Sequence, residues 1–232
     1  MLVIMGIVIA IDGPGGSGKG TVTKLIAERL NLVNIDTGAM YRCVALDCLN
    51  KNIKPEELDK IAEVLEKIDI QLKRDGDKQT VLLNGEDVTR EIRTDRVDEN
   101  VAKYAAIKIV RDKVTPIQQK MGENANIIME GRDIGTVVFP NADVKLFLDC
   151  SLEERARRRY KQNLERGIEC SYDEVLKSLV ERHKLETERT IAPFVKAEDA
   201  IYLDSTEMSV EEETQEVMKI ILSELEKKGK KI

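Results

Sequence analysis

Val8, Ile9, Ala10 and Ile11 form a short unbroken apolar run, the pattern of a central parallel strand buried on both faces. Nearly all of the first eleven residues are apolar and belong to the same reading, since they lack a basic leader and a small-residue cleavage site and are too short to span a bilayer. After a glycine-rich stretch, Val22, Leu25, Ile26 and Leu30 recur on one helical stripe. Residues 33–35 predict a second strand. A helix then follows Asp36-Thr37-Gly38 to about residue 52, and another begins at Pro55 with Leu58, Ile61, Ala62 and Leu65 facing inward.

From residue 68 the period shortens to two. Ile68, Ile70 and Leu72 alternate with polar residues, Asp75-Gly76 can turn, residues 80–83 extend again, and Asn84-Gly85 is a strong two-residue hairpin signal. A small antiparallel sheet over about 68–90 is expected. Helical spacing resumes over about 95–121, with Val110, Val114, Ile117 and Met121 in phase, while residues 126–129, 144–148 and 200–203 read as further core strands. Ser151/Glu154, Ser171/Glu174 and Ser209/Glu212 each match the capping box, in which serine and glutamate satisfy free amides at a helix start. Alternating strands and helices predict a single α/β domain over 1–232, three-layer α/β/α, with a five-stranded parallel sheet.

Composition narrows the function classes. The 232 residues are 42% apolar and 34% charged with a net charge of −6, the profile of a soluble globular protein without the basic surface of a nucleic-acid binder. Cys43, Cys48, Cys150 and Cys170 show no Cys-x-x-Cys spacing, and His183 is the only histidine, so neither a zinc site nor a disulfide scaffold is indicated. A reducing, cytoplasmic location is expected, with no membrane association and no nucleic-acid partner.

The chemistry starts at residues 13–21, Gly13, Pro14, Gly15, Gly16, Ser17, Gly18, Lys19, Gly20 and Thr21. Gly-x-x-x-x-Gly-Lys between a buried strand and an amphipathic helix is a phosphate-binding loop (P-loop): backbone amides face phosphate oxygens, the helix presents its positive end, and Lys19 reaches the β- and γ-phosphates of a nucleoside triphosphate. The strict pattern puts Ser or Thr directly after the lysine. Here Gly20 intervenes, so no side chain is assigned to direct magnesium ligation and Thr21 stands as the one candidate. Arg42, Arg132 and Arg189 arise from βα junctions and a helix end that this topology brings towards the carboxyl edge of the sheet. Arg155, Arg157, Arg158 and Arg159 follow the capping box at Ser151. If residues 152–170 close over the nucleotide as a lid, Arg155, Arg158 and Arg159 would neutralise charge on the transferring phosphoryl group.

Together, residues 12–21, Asp36-Thr37-Gly38-Ala39-Met40-Tyr41-Arg42, Gly131-Arg132-Asp133-Ile134-Gly135-Thr136-Val137-Val138-Phe139-Pro140 and Ala192-Pro193 resemble the bacterial cytidylate kinases, a nucleoside monophosphate kinase family, over essentially the whole chain. The resemblance implies transfer of the γ-phosphoryl group of ATP to CMP or dCMP, giving ADP and CDP or dCDP in pyrimidine metabolism, with Mg2+ bridging the triphosphate. It also implies a core of 1–37, 126–151 and 171–232, a monophosphate-binding insertion of 38–125 that holds the small sheet, and the 152–170 lid. Thr37, Tyr41 and Arg42 match the family's acceptor-binding segment. Arg132 and Arg189 match positions that hold the acceptor phosphate, for which a planar bidentate donor suits phosphate. Arg111 and Asp133 match the base pocket, where arginine donates to cytosine O2 and N3 and aspartate accepts from the exocyclic amine that uracil lacks. Arg182 and Glu186 also fall in the CMP-binding set, with Glu186 accepting from ribose hydroxyls.

Three departures from the family pattern stand out. Glu186 replaces an aspartate, His183 stands where an acidic residue is expected and reads as an exposed helix residue, and Ala102 replaces a serine near the base. No obligate protein partner is implied and a monomer is expected. The alternatives are a kinase for UMP or AMP and, from another class, a GTP-binding switch. The switch lacks its guanine-reading Asn-Lys-x-Asp: the nearest match, Asn50-Lys51-Asn52-Ile53, has no aspartate.

Overall fold

In the computed structural model, which describes residues 6–75, 78–123 and 125–232, the first apolar run is the middle strand of a sheet. β1 (Val8–Asp12) leads into α1 (Lys19–Arg29), and β2 (Val33–Asp36) into α2 (Thr37–Asn50) and α3 (Leu58–Lys67). An antiparallel trio follows, β3 (Ile70–Asp75), β4 (Lys78–Leu83) and β5 (Glu86–Asp87). Next come α4 (Asp95–Asp98), α5 (Val101–Ala105) and α6 (Lys108–Met121), then β6 (Ile127–Gly131) and a π-type turn at Ile134–Val138. β7 (Val144–Asp149), α7 (Leu152–Glu165), α8 (Tyr172–Glu188), β8 (Ile201–Asp204) and α9 (Val210–Lys227) complete the chain.

The main sheet is parallel with order β2-β6-β1-β7-β8, so the fold is the expected five-stranded α/β/α arrangement beside a small antiparallel sheet. Side chains along β1 alternate between two apolar layers. Ile9 and Ile11 pack with Val22 and Ile26 of α1 and Val217 and Ile221 of α9, while Ala10 joins Ile35, Met129, Ile134 and Val138 on the other face. A separate cluster, including Met40, Val44, Ile61, Ile92, Tyr104 and Val114, fills the space among α2–α6 and the small sheet. Asn84 and Gly85 both have positive φ, 52° and 89°, as the predicted two-residue hairpin between β4 and β5 requires.

Several local expectations are corrected. The helix after Gly38 ends at Asn50, and α3 starts at Leu58, three residues after Pro55. Its inner face is therefore Ile61, Val64 and Leu65, and both Leu58 and Ala62 are exposed. The helical stretch of 95–121 is three helices separated by short breaks; Pro116 sits on the exposed side of the last one, where it gives up one ladder hydrogen bond without leaving the amphipathic pattern. Ser171/Glu174 and Ser209/Glu212 form complete capping boxes, but Ser151/Glu154 forms only half. Ser151 accepts from the Glu154 amide, whereas the Glu154 carboxylate accepts from Arg157 and Arg158 instead of reaching back. The Asp75-Gly76 turn and the first five residues of the N-terminal run lie outside the described residues. Among the described residues no helix is long and apolar enough to cross a membrane.

Candidate active site

The loop between β1 and α1 has its shape from two glycines. A side chain on Gly13 would meet the Leu148 carbonyl oxygen at 2.0 Å, so only glycine lets the loop pass this close to β7. Gly18 caps α1 with φ +96° and offers no side-chain hydrogen bond, and no acidic residue occupies the first turn, so the helix presents free amides and its positive end outward. Lys19 is 5% exposed; its Nζ donates to the Pro14 carbonyl at 2.7 Å and to Ser17 Oγ at 3.2 Å. Burial, reinforced by Arg132, pulls its pKa down from the ordinary lysine value.

This loop faces a cleft of about 1480 Å³ at the carboxyl edge of the sheet. Gly15, Gly16, Ser17, Gly18, Lys19, Gly20 and Thr21 line it, as do Thr37, Tyr41, Arg42, Arg111, Arg132, Asp133, Arg182, Glu186, Arg189, Arg158 and Arg159. Gly13 and Pro14 lie beneath the rim, and Arg155 is set apart: it is buried, its backbone lies where a side chain on Gly16 would go, and its Nε has no hydrogen-bond partner. Ala102 contributes a methyl group to the lining. His183 is exposed on α8 with its ring edge-on to Phe194.

At one end of the cleft, Arg111 and Asp133 form a buried ion pair in which the side chains are 4% and 6% exposed. Arg111 also donates to the Ala105 carbonyl at 3.1 Å, and its guanidinium lies 5.3 Å from the centre of the Tyr41 ring. Burial raises the Asp133 pKa, against the pull of Arg111, Arg189 and Arg132. Arg189 donates to the carbonyl of Ala192 at 2.6 Å; Ala192 holds φ +49°, a conformation costly for alanine and more so before proline. The hydroxyl of Thr37 donates to the Glu130 carbonyl at 2.7 Å and so pins the start of α2 to β6.

Glu186 acts as a clamp. One carboxylate oxygen accepts from Arg132 Nε and the other from Arg182 Nε, both at 2.8 Å. Burial opposes its ionisation, yet the two guanidiniums hold its pKa well below the usual carboxylate range. A carboxylate expected to meet ribose hydroxyls therefore spends its strongest hydrogen bonds on aligning two arginines. Arg158 similarly faces protein groups: it donates to the Ser17 carbonyl at 3.1 Å, to the Ser205 carbonyl at 2.9 Å and to Glu154 at 2.8 Å. Hydrogen bonds from Arg157 and Arg158 bring the Glu154 pKa down to about 2.

Four acidic residues escaped the sequence reading. Asp12, last in β1, accepts from the amides of Ile134 and Gly135 at 2.8 Å each and so caps the π-type turn that follows Arg132 and Asp133. Burial lifts its pKa to about 6. Glu130 lies against the start of α1, 3.0 Å from where a Gly20 side chain would begin, and burial and Asp36 push its pKa upward. Glu213, 1% exposed, sits 3.6 Å from Arg158, and Asp98 pairs with Arg42 and Arg159. For Asp12 a signal was present, a carboxylate closing an apolar strand. The other three gave none, because their partners come from remote parts of the chain.

Comparison with known proteins adds three findings. The family model described as cytidylate kinase matches residues 9–223. A cytidylate kinase of Fusobacterium nucleatum is 49% identical over 95% of this chain and 98% of its own length, and one of Bacillus subtilis is 44% identical over 92% and 95%. Among solved structures, the Thermus thermophilus protein TT1252 superposes with a TM-score of 0.50 at 21% identity, over 95% of this chain and 98% of that one, which is a likeness of fold.

Proposed function

The chain belongs to the cytidylate kinase family, and on that premise we infer that it is a phosphotransferase moving the γ-phosphoryl group of ATP to CMP or dCMP. The observation that carries this reading is the single cleft that joins a lysine-bearing phosphate loop to the buried Arg111–Asp133 pair. One end suits a triphosphate, the other a base that offers both acceptors and an exocyclic amine.

The acceptor is a phosphate oxygen that is already anionic at neutral pH, so the reaction calls for no nucleophile of the protein's own. Catalysis reduces to aligning two anions and offsetting their charge. Lys19 would leave Pro14 and Ser17 for the β- and γ-phosphates, whose negative charge favours its protonated form. Arg42, Arg132 and Arg189 would hold the acceptor phosphate, with Glu186 fixing the plane of Arg132 and also holding Arg182. Arg158 and Arg159 would approach from α7, which acts as the lid over 152–170, and residues 38–125 would form the acceptor-binding insertion. Arg155 serves this scheme only through the backbone that packs on Gly16.

Among the described residues no three carboxylate, histidine or cysteine side chains gather to hold a metal. One hydroxyl and one carboxylate beside the phosphate loop fit a magnesium ion that arrives on the triphosphate, since Mg2+ commonly takes one or two protein oxygens and completes its shell with phosphate and water. Thr21 and Glu130, beside the first turn of α1, are the residues that would face it. When bound, the ion would offset negative charge on the transferring group.

The test is ADP release with ATP, magnesium and each of CMP, dCMP, UMP, AMP and GMP in turn. Highest kcat/KM with CMP or dCMP is expected. Preference for UMP or AMP would overturn the assignment of Asp133 and Arg111 to a cytosine, and GTP hydrolysis without transfer to any nucleotide would favour a switch.

A further inference from the structure

Asp98 closes α4, a single helical turn whose Val97 is wholly buried in the apolar cluster of the α2–α6 region. Its side chain is 12% exposed. One carboxylate oxygen pairs with Arg42 of α2, the other with Arg159 of α7, and Arg182 of α8 lies 3.9 Å from the first. The backbone carrying Asp98 is thus anchored with the acceptor end, whereas Arg159 rides on a helix that packs through Ala156 against Val175 and Leu179 of α8. The Asp98–Arg159 pair crosses from one to the other.

The charges explain why such an anion is needed. Burial, reinforced by the neighbouring Arg182, pushes the Arg42 pKa down. Arg42 otherwise has the Ile92 carbonyl, and Arg159 has Gln162, neither of which carries charge. Burial works against an ionised Asp98, yet the three guanidiniums hold its pKa below the usual value. A guanidinium has five donors, so contact with Asp98 on one edge leaves others free for phosphate.

We propose that Asp98 is a positioning residue of the transfer reaction: its carboxylate gathers Arg42, Arg159 and Arg182 and couples closure of α7 to alignment of the acceptor's arginines. The proposal rests on the reading of this cleft as a site for phosphoryl transfer to a nucleoside monophosphate. In this scheme Asp98, which lines the same cleft, acts through the three arginines and not on the reacting atoms.

The test compares wild type, Asp98→Asn, Arg159→Gln and the double variant, with CMP varied at saturating ATP and magnesium and ATP varied at saturating CMP. Asp98→Asn should lower kcat about 10- to 100-fold, the effect of misplacing a reacting group by about an ångström, with the KM for ATP changed less than about threefold. The loss in the double variant should fall short of the product of the two single losses, and amide hydrogen exchange across 152–165 should quicken in Asp98→Asn. Asp98→Glu, which keeps the charge, should recover part of the loss and serves as the test variant if Asp98→Asn proves unstable: moving the carboxylate by one methylene should still lower kcat and speed exchange in α7. Losses that multiply in the double variant, kcat within about twofold of wild type, or unchanged exchange in α7 would overturn the proposal. Wild type inactive with every monophosphate would defeat the functional reading instead, and the exchange measurement would still decide whether Asp98 holds α7.

Discussion

Replacing Asp133 by Asn separates what the buried ion pair does for stability from what it does for recognition. Both side chains of the Arg111–Asp133 pair are at most 6% exposed, so solvent screens neither. Removing the anion strands Arg111 in the interior, with Arg189 3.9 Å from the same carboxylate adding to the uncompensated charge. Loss of one partner from such a pair costs about 3–5 kcal/mol, which in a chain of this size lowers the melting midpoint by roughly 6–20 °C. Arg111→Met in the same chain removes the stranded cation while keeping much of its aliphatic volume. The double variant should therefore be more stable than Asp133→Asn by about 2 kcal/mol or more. Urea unfolding with an unchanged m-value measures this directly. The ratio of kcat/KM for CMP over UMP should fall by about 10²-fold in Asp133→Asn and stay low in the double variant, because a polar site loses discrimination when its matching group goes. Destabilisation under about 1 kcal/mol, or a double variant destabilised by the sum of the single changes, would refute the electrostatic account. An unchanged ratio would remove Asp133 from base reading.

Lys19→Ala should reduce turnover by about 10²–10³-fold or more while shifting the melting midpoint by only a few degrees, and near-normal turnover would reject its place on the phosphates. Asp12 gives a pH signature. Its folded pKa of about 6 exceeds the ordinary 3.8, so its contribution, about 3 kcal/mol, is fully present below about pH 4 and is lost as pH rises through 6. Urea melts at pH 4 to 7 should show this falling term as the difference between wild type and Asp12→Asn; a difference independent of pH would refute it. Gly13→Ala should destabilise by about 2 kcal/mol or more, since its methyl must displace the Leu148 backbone, and a neutral effect in thermal melts would contradict the close approach.

β1, β6 and β8 were legible because each holds a short continuous apolar run, and the phosphate loop because its spacing is local. The small sheet was legible from a change of period and one dipeptide, Asn84-Gly85. What escaped is non-local. Nothing near Asp98 in sequence points to Arg42, Arg159 or Arg182, and the half-formed box at Ser151 depends on a contest that two arginines win for Glu154. On α3, Ile61 and Leu65 are buried as expected, whereas Leu58 opens the helix at the surface and Val64 takes the inward place expected of Ala62. Most residues of the cleft were found through family resemblance; their mutual hydrogen bonds, above all the grip of Glu186 on two arginines, required coordinates.

The Asp12 cap also bears on how specificity can change. Asp12 and Gly131 are register partners on adjacent strands, and the Asp12 carboxylate reaches across to the turn just beyond Asp133. The span from the phosphate loop to Asp133, the proposed base reader, is therefore fixed like the pitch between neighbouring teeth of one gear. Redesign of the acceptor preference can redraw the walls around Tyr41 and Arg111 without retuning the donor side, whereas a change at Asp12 should disturb both ends together.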